Sequence, residues 1–578
     1  MVRKFNLFTL TLFACLVLQT QITAQTLVPV TDADLTAESD VTWTAGNEYV
    51  LNGLVFLETG GKLTIEAGTV IRGAAQGNIT NGDLASTLII SRGAQIFANG
   101  TAEAPIIFTA ESDDLNSPDD LEARDRQLWG GLIILGSATI ASPGGQNNIE
   151  GIKATEDRTE YGGTDDDDNS GVLNYVSIRH GGAALAPGDE INGLTLGGVG
   201  SGTTIDYVEV YANFDDGIEW FGGTVKVNHA ATAFCGDDGF DYDLGWRGGG
   251  QYWFSLQSGA QNTGRAGEHD GADPDGQAPF SNPTIVNATY VGIGQDAVAV
   301  GGEAGDGNND GLAYAVYFRD NAGGTYANSI FYDFNSAAIA IEDRTDNTED
   351  DTYARLLAGD LTLQNNYFFN FGRGTGTAAD IFVAIDQGGA IVPASSAEFV
   401  SRLVAAGNVV ADPEFNNDDR DGGAFDPRPS AFSPAANAGS SFAIAGYDTT
   451  NYVGAFAPGN GDENGNWLMG WSAITETGAV FDFLNGVGQI TTNGMALDAP
   501  APNPASDLTT INYELPRRAE VTISILDVLG RNQGQFTTTA LGGSNSFPVD
   551  VSNLPNGTYV VLLEAAGGRL AQKLVVRR

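Results

Sequence analysis

Two short acidic phrases hold the residue types best suited to chemistry. Asp215-Asp216-Gly217-Ile218-Glu219-Trp220 and Asp237-Asp238-Gly239-Phe240-Asp241-Tyr242 share one pattern and lie 22 residues apart. Paired carboxyl groups can serve as general acid and base, as a nucleophile, or as ligands to a hard cation. A period in the low twenties, with turn residues at matching places, marks a solenoid in which each repeat is one coil. Three short strands and three turns need about that many residues. The two phrases are therefore expected on neighbouring rungs of a parallel β-helix, with carboxylates stacked about 4.8 Å apart. Side chains alternate along a strand, so if Ile218 and Phe240 face the core, Glu219 and Asp241 both face out. Like charges placed opposite each other destabilise a sheet. A bound cation, a shared proton or wide solvation would each account for such a stack.

Other acidic loops have the alternate-oxygen spacing of a cation site. Asp306, Asn308, Asp310 and Gly311 read D-x-N-x-D-G, and Asn417, Asp419, Asp421, Gly422 and Asn460, Asp462, Asn464, Gly465 are related. Oxygens at alternate positions of a tight turn can wrap Ca²⁺, which takes six to eight of them. The twelfth positions hold Tyr317, Arg428 and Trp471 in place of an acid, which excludes a helix–loop–helix calcium hand. A solvated Asp/Asn/Gly turn explains the same residues. Ca²⁺ is the one cofactor that these patterns suggest.

Trp220, Tyr242, Trp246, Trp253 and Phe254 cluster near the acidic stack. An aromatic face can carry a sugar ring. Alternation also places Trp220 and Tyr242 inward with Ile218 and Phe240, and core packing is the commoner fate of such rings. Cys235 reads as a buried small apolar group, not a nucleophile. No histidine has the spacing of a zinc site.

These positions must be held by a large scaffold. The chain has 578 residues, 42% hydrophobic and with 77 glycines, which suits a turn-rich all-β protein with a sizeable core. It carries 27 basic and 73 acidic side chains, a net charge of −46. The segment from Pro500 onward is near neutral, so the acidity belongs to the body. That balance argues against nucleic acid and anionic membranes as partners. Residues 1–24 read as a secretory signal peptide: Arg3-Lys4, an apolar run from Phe5 to Leu18, and Ile22-Thr23-Ala24 before Gln25. Lipidation at Cys15 is the alternative. No later stretch is long enough to span a bilayer as a helix.

Lys62-Leu63-Thr64-Ile65-Glu66-Ala67-Gly68-Thr69-Val70-Ile71-Arg72-Gly73 spaces two short strands around a glycine corner. Leu88–Ala98 and Gly100–Thr109 repeat the scheme. These phrases resemble the opening rungs of right-handed parallel β-helix proteins, of the pectin-lyase-like kind, found on bacterial surfaces. Glu111–Arg126, Gly162–Gly171 and Gln257–Asn282 read as polar excursions. Asn287, Asn328 and Asn366 each precede an apolar strand, as asparagines do at repeated solenoid corners. Ser395–Ala406 has a Ser cap and helical spacing, and is expected to cover a rung. Thr475–Ala499 reads as a loose connection.

The tail is antiparallel in pattern, with alternating strands and a Pro555-Asn556-Gly557 turn. It also resembles the type A sorting domain of the type IX secretion system. Pro502, Asn503 and Pro504, then Asp527, Gly530 and Arg531, then Gly557, Tyr559 and Lys573 are the positions that match its three motifs. That resemblance implies export by the type IX machinery, processing by its sortase, and display on or release from the outer surface. The expected division is a signal peptide over 1–24, a β-helix over 25–475, a linker over 476–499 and the sorting domain over 500–578.

The acidic phrases are similar to the paired-Asp motif of polygalacturonase-like β-helix hydrolases, which implies three acids drawn from adjacent rungs. The next stretch, Trp246-Arg247-Gly248-Gly249-Gly250, lacks that family's Gly-His-Gly and Arg-x-Lys phrases, and His180 and His229 fall outside its frame. Two functions follow. One is a secreted, non-enzymatic binding or adhesive protein, stabilised by cations and facing polysaccharides or surface glycans. The other is a polysaccharide-degrading hydrolase or lyase using Asp215, Asp216, Asp237, Asp238 and Asp241.

Overall fold

The computed structural model describes residues 26–578, apart from 116, 118–119, 153–154, 186–189, 259–262, 298–313, 345–350, 421–424, 440–443, 460–464, 481–489, 493–494, 498–499, 501–504, 507, 516, 528–530, 556, 566–567 and 578. The proposed signal peptide, Cys15, the loop at Asp306, Asn308 and Asp310, Asp421, the loop at Asn460, Asp462 and Asn464, Pro502, Asn503, Pro504 and Gly530 lie outside the described residues.

Short apolar runs bounded by Gly and Asn corners stack here as a parallel β-helix. One sheet contains ten parallel strands of four residues, from Leu54–Leu57 to Phe382–Ile385. A second, seventeen-stranded sheet wraps the rest of each coil. Its longer strands, such as Thr204–Tyr211, Val227–Ala233, Gly249–Leu256 and Thr284–Val291, bend in the middle. The bend falls on one column of residues in the left-handed region: Tyr175, Tyr207, His229, Tyr252, Asn287, Asn328 and Asn365, with φ between 43° and 64°. Asparagine tolerates that conformation, whereas an aromatic residue there is strained. The third asparagine corner is thus Asn365, not Asn366. Asn366 is buried beside it, accepting from the Ser329 amide at 2.8 Å and donating to Tyr326 O at 3.1 Å.

Inward positions alternate as strand geometry requires. Leu194, Leu196, Ile218, Trp220, Phe240 and Tyr242 are all fully buried in the main core. The excursion expected over Gln257–Asn282 contains a rung, the strand Gly267–Asp270, which pairs in parallel with Phe240–Asp243 and Val316–Arg319. Its Gly-Glu-His-Asp sequence lacks apolar alternation, because His269 takes the inward place and stacks on Tyr242 at 4.0 Å.

The expected helix forms as Pro393–Ala405, with Pro at its first position and Val392, not a serine, at the N-cap. Phe399 and Leu403 enter the main core, and Ser396 Oγ accepts from the Ala384 amide at 2.9 Å, so the helix covers the last strand of the ten-strand sheet. The connection expected over 476–499 is not loose throughout. Val480 is fully buried against the body, and Met495–Leu497 pairs with Leu508–Leu515. The tail forms two four-stranded antiparallel sheets around Ile511, Val521, Ile523, Val561 and Leu563.

Candidate functional site

The outer face of the ten-strand sheet identifies a site by its residue types. One outward column reads Phe56, Ile89, Ile133, Thr195, Glu219, Asp241, Glu268, Tyr317, Ala340 and Val383. Its apolar ends are covered: Phe56, Ile89 and Ile133 pack under Ile140, Ile149 and Tyr161, while Tyr317, Ala340 and Val383 form a smaller cluster. Three acids on consecutive rungs interrupt this column. The expected stack is therefore present, with Glu219 directly beside Asp241 in parallel register.

The repeated phrases have a local structural reason. Asp216 and Asp238 sit at one corner on successive rungs. Asp216 Oδ1 accepts from the Asp238 amide at 2.8 Å, and Asp238 Oδ1 accepts from the Arg265 amide one rung further on. Each aspartate so caps the next coil. The glycines that follow are required by close stacking: a Cβ on Gly217 would lie 2.5 Å from Gly239 O, and one on Gly239 would lie 2.6 Å from Ser255 Oγ. Asn213 holds the corner, donating to Asp216 O at 2.7 Å.

The remaining carboxyl oxygens converge. One oxygen each from Asp216, Glu219 and Asp241 lie within 4.8 Å of one another, and so do oxygens of Asp215, Asp216 and Asp237. Glu219 accepts from Asn192 Nδ2. Asp241 Oδ1 is shielded from solvent and has no hydrogen-bond partner among the described residues. Burial, and then the Asp241 charge, push the Asp216 carboxyl well above the ordinary range. Burial, and then Glu150 and Asp241, do the same to Glu219. Asp237 is raised by burial and Asp238, and Asp241 by burial and Asp270. Asp238 is pushed up only to about 6, because Arg265 opposes the burial.

Arginines neutralise one end of the wall. Arg265 reaches Glu268 at 2.8 Å and Asp238 at 3.6 Å, and Arg319 reaches Glu268 at 2.9 Å and Asp270 at 2.7 Å. Sequence reasoning missed Glu268, Asp270 and both arginines, since the longer coil between Asp241 and Glu268 breaks the 22-residue period. It placed Glu219 outward without naming it as a site residue.

The other candidates are placed elsewhere. Trp220, Tyr242, Trp246, Trp253 and Phe254 are fully buried, so none offers a sugar-binding face. Cys235 is buried and its thiol is pushed up to about 12, chiefly by burial. Asn417 Oδ1 accepts from the Asp419 amide at 2.9 Å, closing a turn on itself. His269, on the rung after Asp241, is fully buried with its pKa pushed down to about 3 by burial, so it faces no substrate. In the tail, Asp527 lies opposite Tyr559, Val560 opposite Lys573, and Gly557 opposite Val576, while Arg531 borders the strand Asn532–Ala540.

A parallel solenoid with a short acidic interval on one outer wall is the class that fold and site define. Residues 35–399 match the family described as pectate-lyase like beta helix domain, and the chain belongs to that family. Residues 501–577 match the secretion system C-terminal sorting domain. That domain places the protein on the route to the cell surface or extracellular space through type IX secretion. No helix among the described residues is long and apolar enough to cross a membrane. No curated protein matches the chain. Among solved structures, similarity is found to the enzymatically active domain of tailspike protein 4 of bacteriophage CBA120, at 9% identity and a TM-score of 0.21. That match covers 87% of this chain and 58% of the tailspike chain, so this chain spans less than two thirds of it.

Proposed function

We propose that this is a non-enzymatic extracellular binding or adhesive protein whose β-helix is completed by a divalent cation, with Ca²⁺ the best fit, on the acidic wall. The carrying observation is the trio Asp216, Glu219 and Asp241, one oxygen of each lying within 4.8 Å of the others, while Asp241 Oδ1 has no partner among the described residues. Hard cations take clustered carboxylate and amide oxygens, and Asn192 and Asp237 stand ready at the rim. A cation would relieve the repulsion that otherwise forces these groups to hold protons.

The polysaccharide-degrading alternative fits the same residues less well. Within each trio the oxygens sit closer than the roughly 6.5–9.5 Å that leaves room for an inverting water. Asp216 and Asp238 are buried and engaged in capping, at 7% and 3% exposure. The test is twofold. Calcium is titrated into EDTA-stripped protein by calorimetry, and reducing-end or unsaturated-product release is measured on a panel of polysaccharides. The expected result is saturable calcium uptake with no product. Product formation that disappears in both Asp237→Asn and Asp238→Asn would replace this reading with the enzyme.

A further inference from the structure

A groove of about 430 Å³ opens on a different part of the solenoid, along the column of left-handed corners. Tyr207, His229 and Tyr252 come to it from three consecutive rungs, and Asp448, Tyr452 and Trp467 from the segment that closes the body. The same column meets the closing segment in two ways. Where the corner residue is Asn287, its Nδ2 donates to Tyr452 O at 3.2 Å and Gly454 O at 3.1 Å, and the seam is sealed. Where the corner residues are Tyr207, His229 and Tyr252, the groove lies between them and the closing segment, with Gln251 Nε2 donating to Asp448 O at 2.9 Å at one end. The tyrosines at φ 53° and 64° are strained there, whereas asparagine tolerates that conformation. The costlier residue type therefore occupies the rungs that border the groove.

The orientation of the rings selects the ligand chemistry. Tyr175, Tyr207, His229 and Tyr252 stack face to face, with centroids 4.3, 4.1 and 4.8 Å apart. Tyr207 and His229 thus have both faces covered, and Trp467 stands across their edges at 75° and 71°. Ring edges bear the positive rim of the quadrupole, which disfavours a cation and welcomes oxygen. Asp206 Oδ1 lies 2.7 Å from His229 Nδ1 and fixes the orientation of that ring. Burial, and then Tyr452 and Asp448, to which it is hydrogen-bonded, push the Tyr252 phenol up, so its hydrogen is engaged with those two side chains at the wall of the groove. Asp206, Asp448 and a net charge of −46 oppose an anionic chain.

We propose that this groove binds a short stretch of neutral glycan, its hydroxyls bonded by the exposed Asp448 carboxylate and the Tyr452 hydroxyl. The proposal rests on the binding-protein reading and supplies the class of ligand. It is tested with the full chain by calorimetry against cellohexaose, laminarihexaose, chitohexaose, mannohexaose and an oligogalacturonate. At least one neutral oligosaccharide is expected to bind, with affinity reduced about tenfold or more, one good hydrogen bond's worth, in each of Asp448→Ala and Tyr452→Phe. Their melting temperatures are followed alongside, since Asp448 is exposed and Phe keeps the ring at 452. No neutral binding at millimolar concentration by protein with an intact melt would overturn the proposal. Tighter binding of the oligogalacturonate, or wild-type affinity in both variants, would overturn it equally. Product release from a bound neutral glycan would support the groove and refute only the non-enzymatic reading. Absence of calcium uptake alongside specific glycan binding would support the groove and refute only the cation reading.

Discussion

Asp241 differs from its neighbours in the outward column. Glu219 has Asn192 and Glu268 has two arginines, while Asp241 makes no ion pair among the described residues. Without a cation, its charge and those of Asp216, Glu219 and Asp237 are repelled by one another and poorly solvated. Their pKa values in the folded, metal-free chain lie above those of an unfolded chain. The folded state then binds more protons, so the associated stability is fully present below the ordinary carboxyl range, about pH 4. It is lost as pH rises through the raised values, with Asp238 at about 6 and Asp243 at about 7 marking the window. Melting of EDTA-treated protein should fall across that window, and calcium should restore it at pH 7.5 but not near pH 4. Asp241→Asn should raise metal-free stability at pH 7.5, since burial and Asp270 disfavour its charge, and remove most of the calcium gain. A metal-free melt that is flat from pH 4 to 7.5 would contradict this.

At the scale of elements, the closing segment depends on a buried carboxylate. Glu209 is fully buried, and its oxygens accept from the Ala473 and Ile474 amides at 2.7 and 2.9 Å and from Ser177 Oγ at 2.6 Å. It caps the short helix Ala473–Glu476 while Arg179, on the adjacent strand, pairs with Glu476 at 2.8 Å. Glu209→Ala leaves those amides without an acceptor and Arg179 with less countercharge, and should cost about 3–5 kcal/mol. Hydrogen exchange should show faster opening of 473–480 than of the solenoid rungs; equal rates would count against a cap. The rungs themselves were legible wherever period and alternation agree, as in Ile218 over Phe240. They were hidden where function or packing altered the pattern. The sequence of Gly267–Asp270 reads as loop because its inward residue is a histidine. Tyr207, His229 and Tyr252 gave no signal as corners, since only backbone geometry shows that aromatics occupy asparagine positions. The helix over 393–405 was legible from its spacing, but Pro393 at its first position displaced the expected serine cap.

Over the whole molecule, charge is distributed by purpose. The solenoid buries apolar columns inside and covers most of its outer wall with excursions, leaving three acidic rungs between apolar ends. The near-neutral tail is a separate antiparallel domain that carries the export signal. Its identity was the most legible part of the sequence, because Asp527, Tyr559 and Lys573 lie in recognisable phrases that the sheet brings into adjacent strands. The acidic wall was legible as a stack and as a candidate site through Asp215, Asp216, Asp237, Asp238 and Asp241, but not in its full extent, since Glu268, Arg265 and Arg319 join it across a longer coil. Anomalous X-ray scattering from crystals grown with calcium and with manganese locates any bound ion directly. The expected result is a peak among Asp216, Glu219 and Asp241, about 2.3–2.6 Å from their oxygens for calcium. An unoccupied wall under those conditions, with ions bound only elsewhere, would contradict the account.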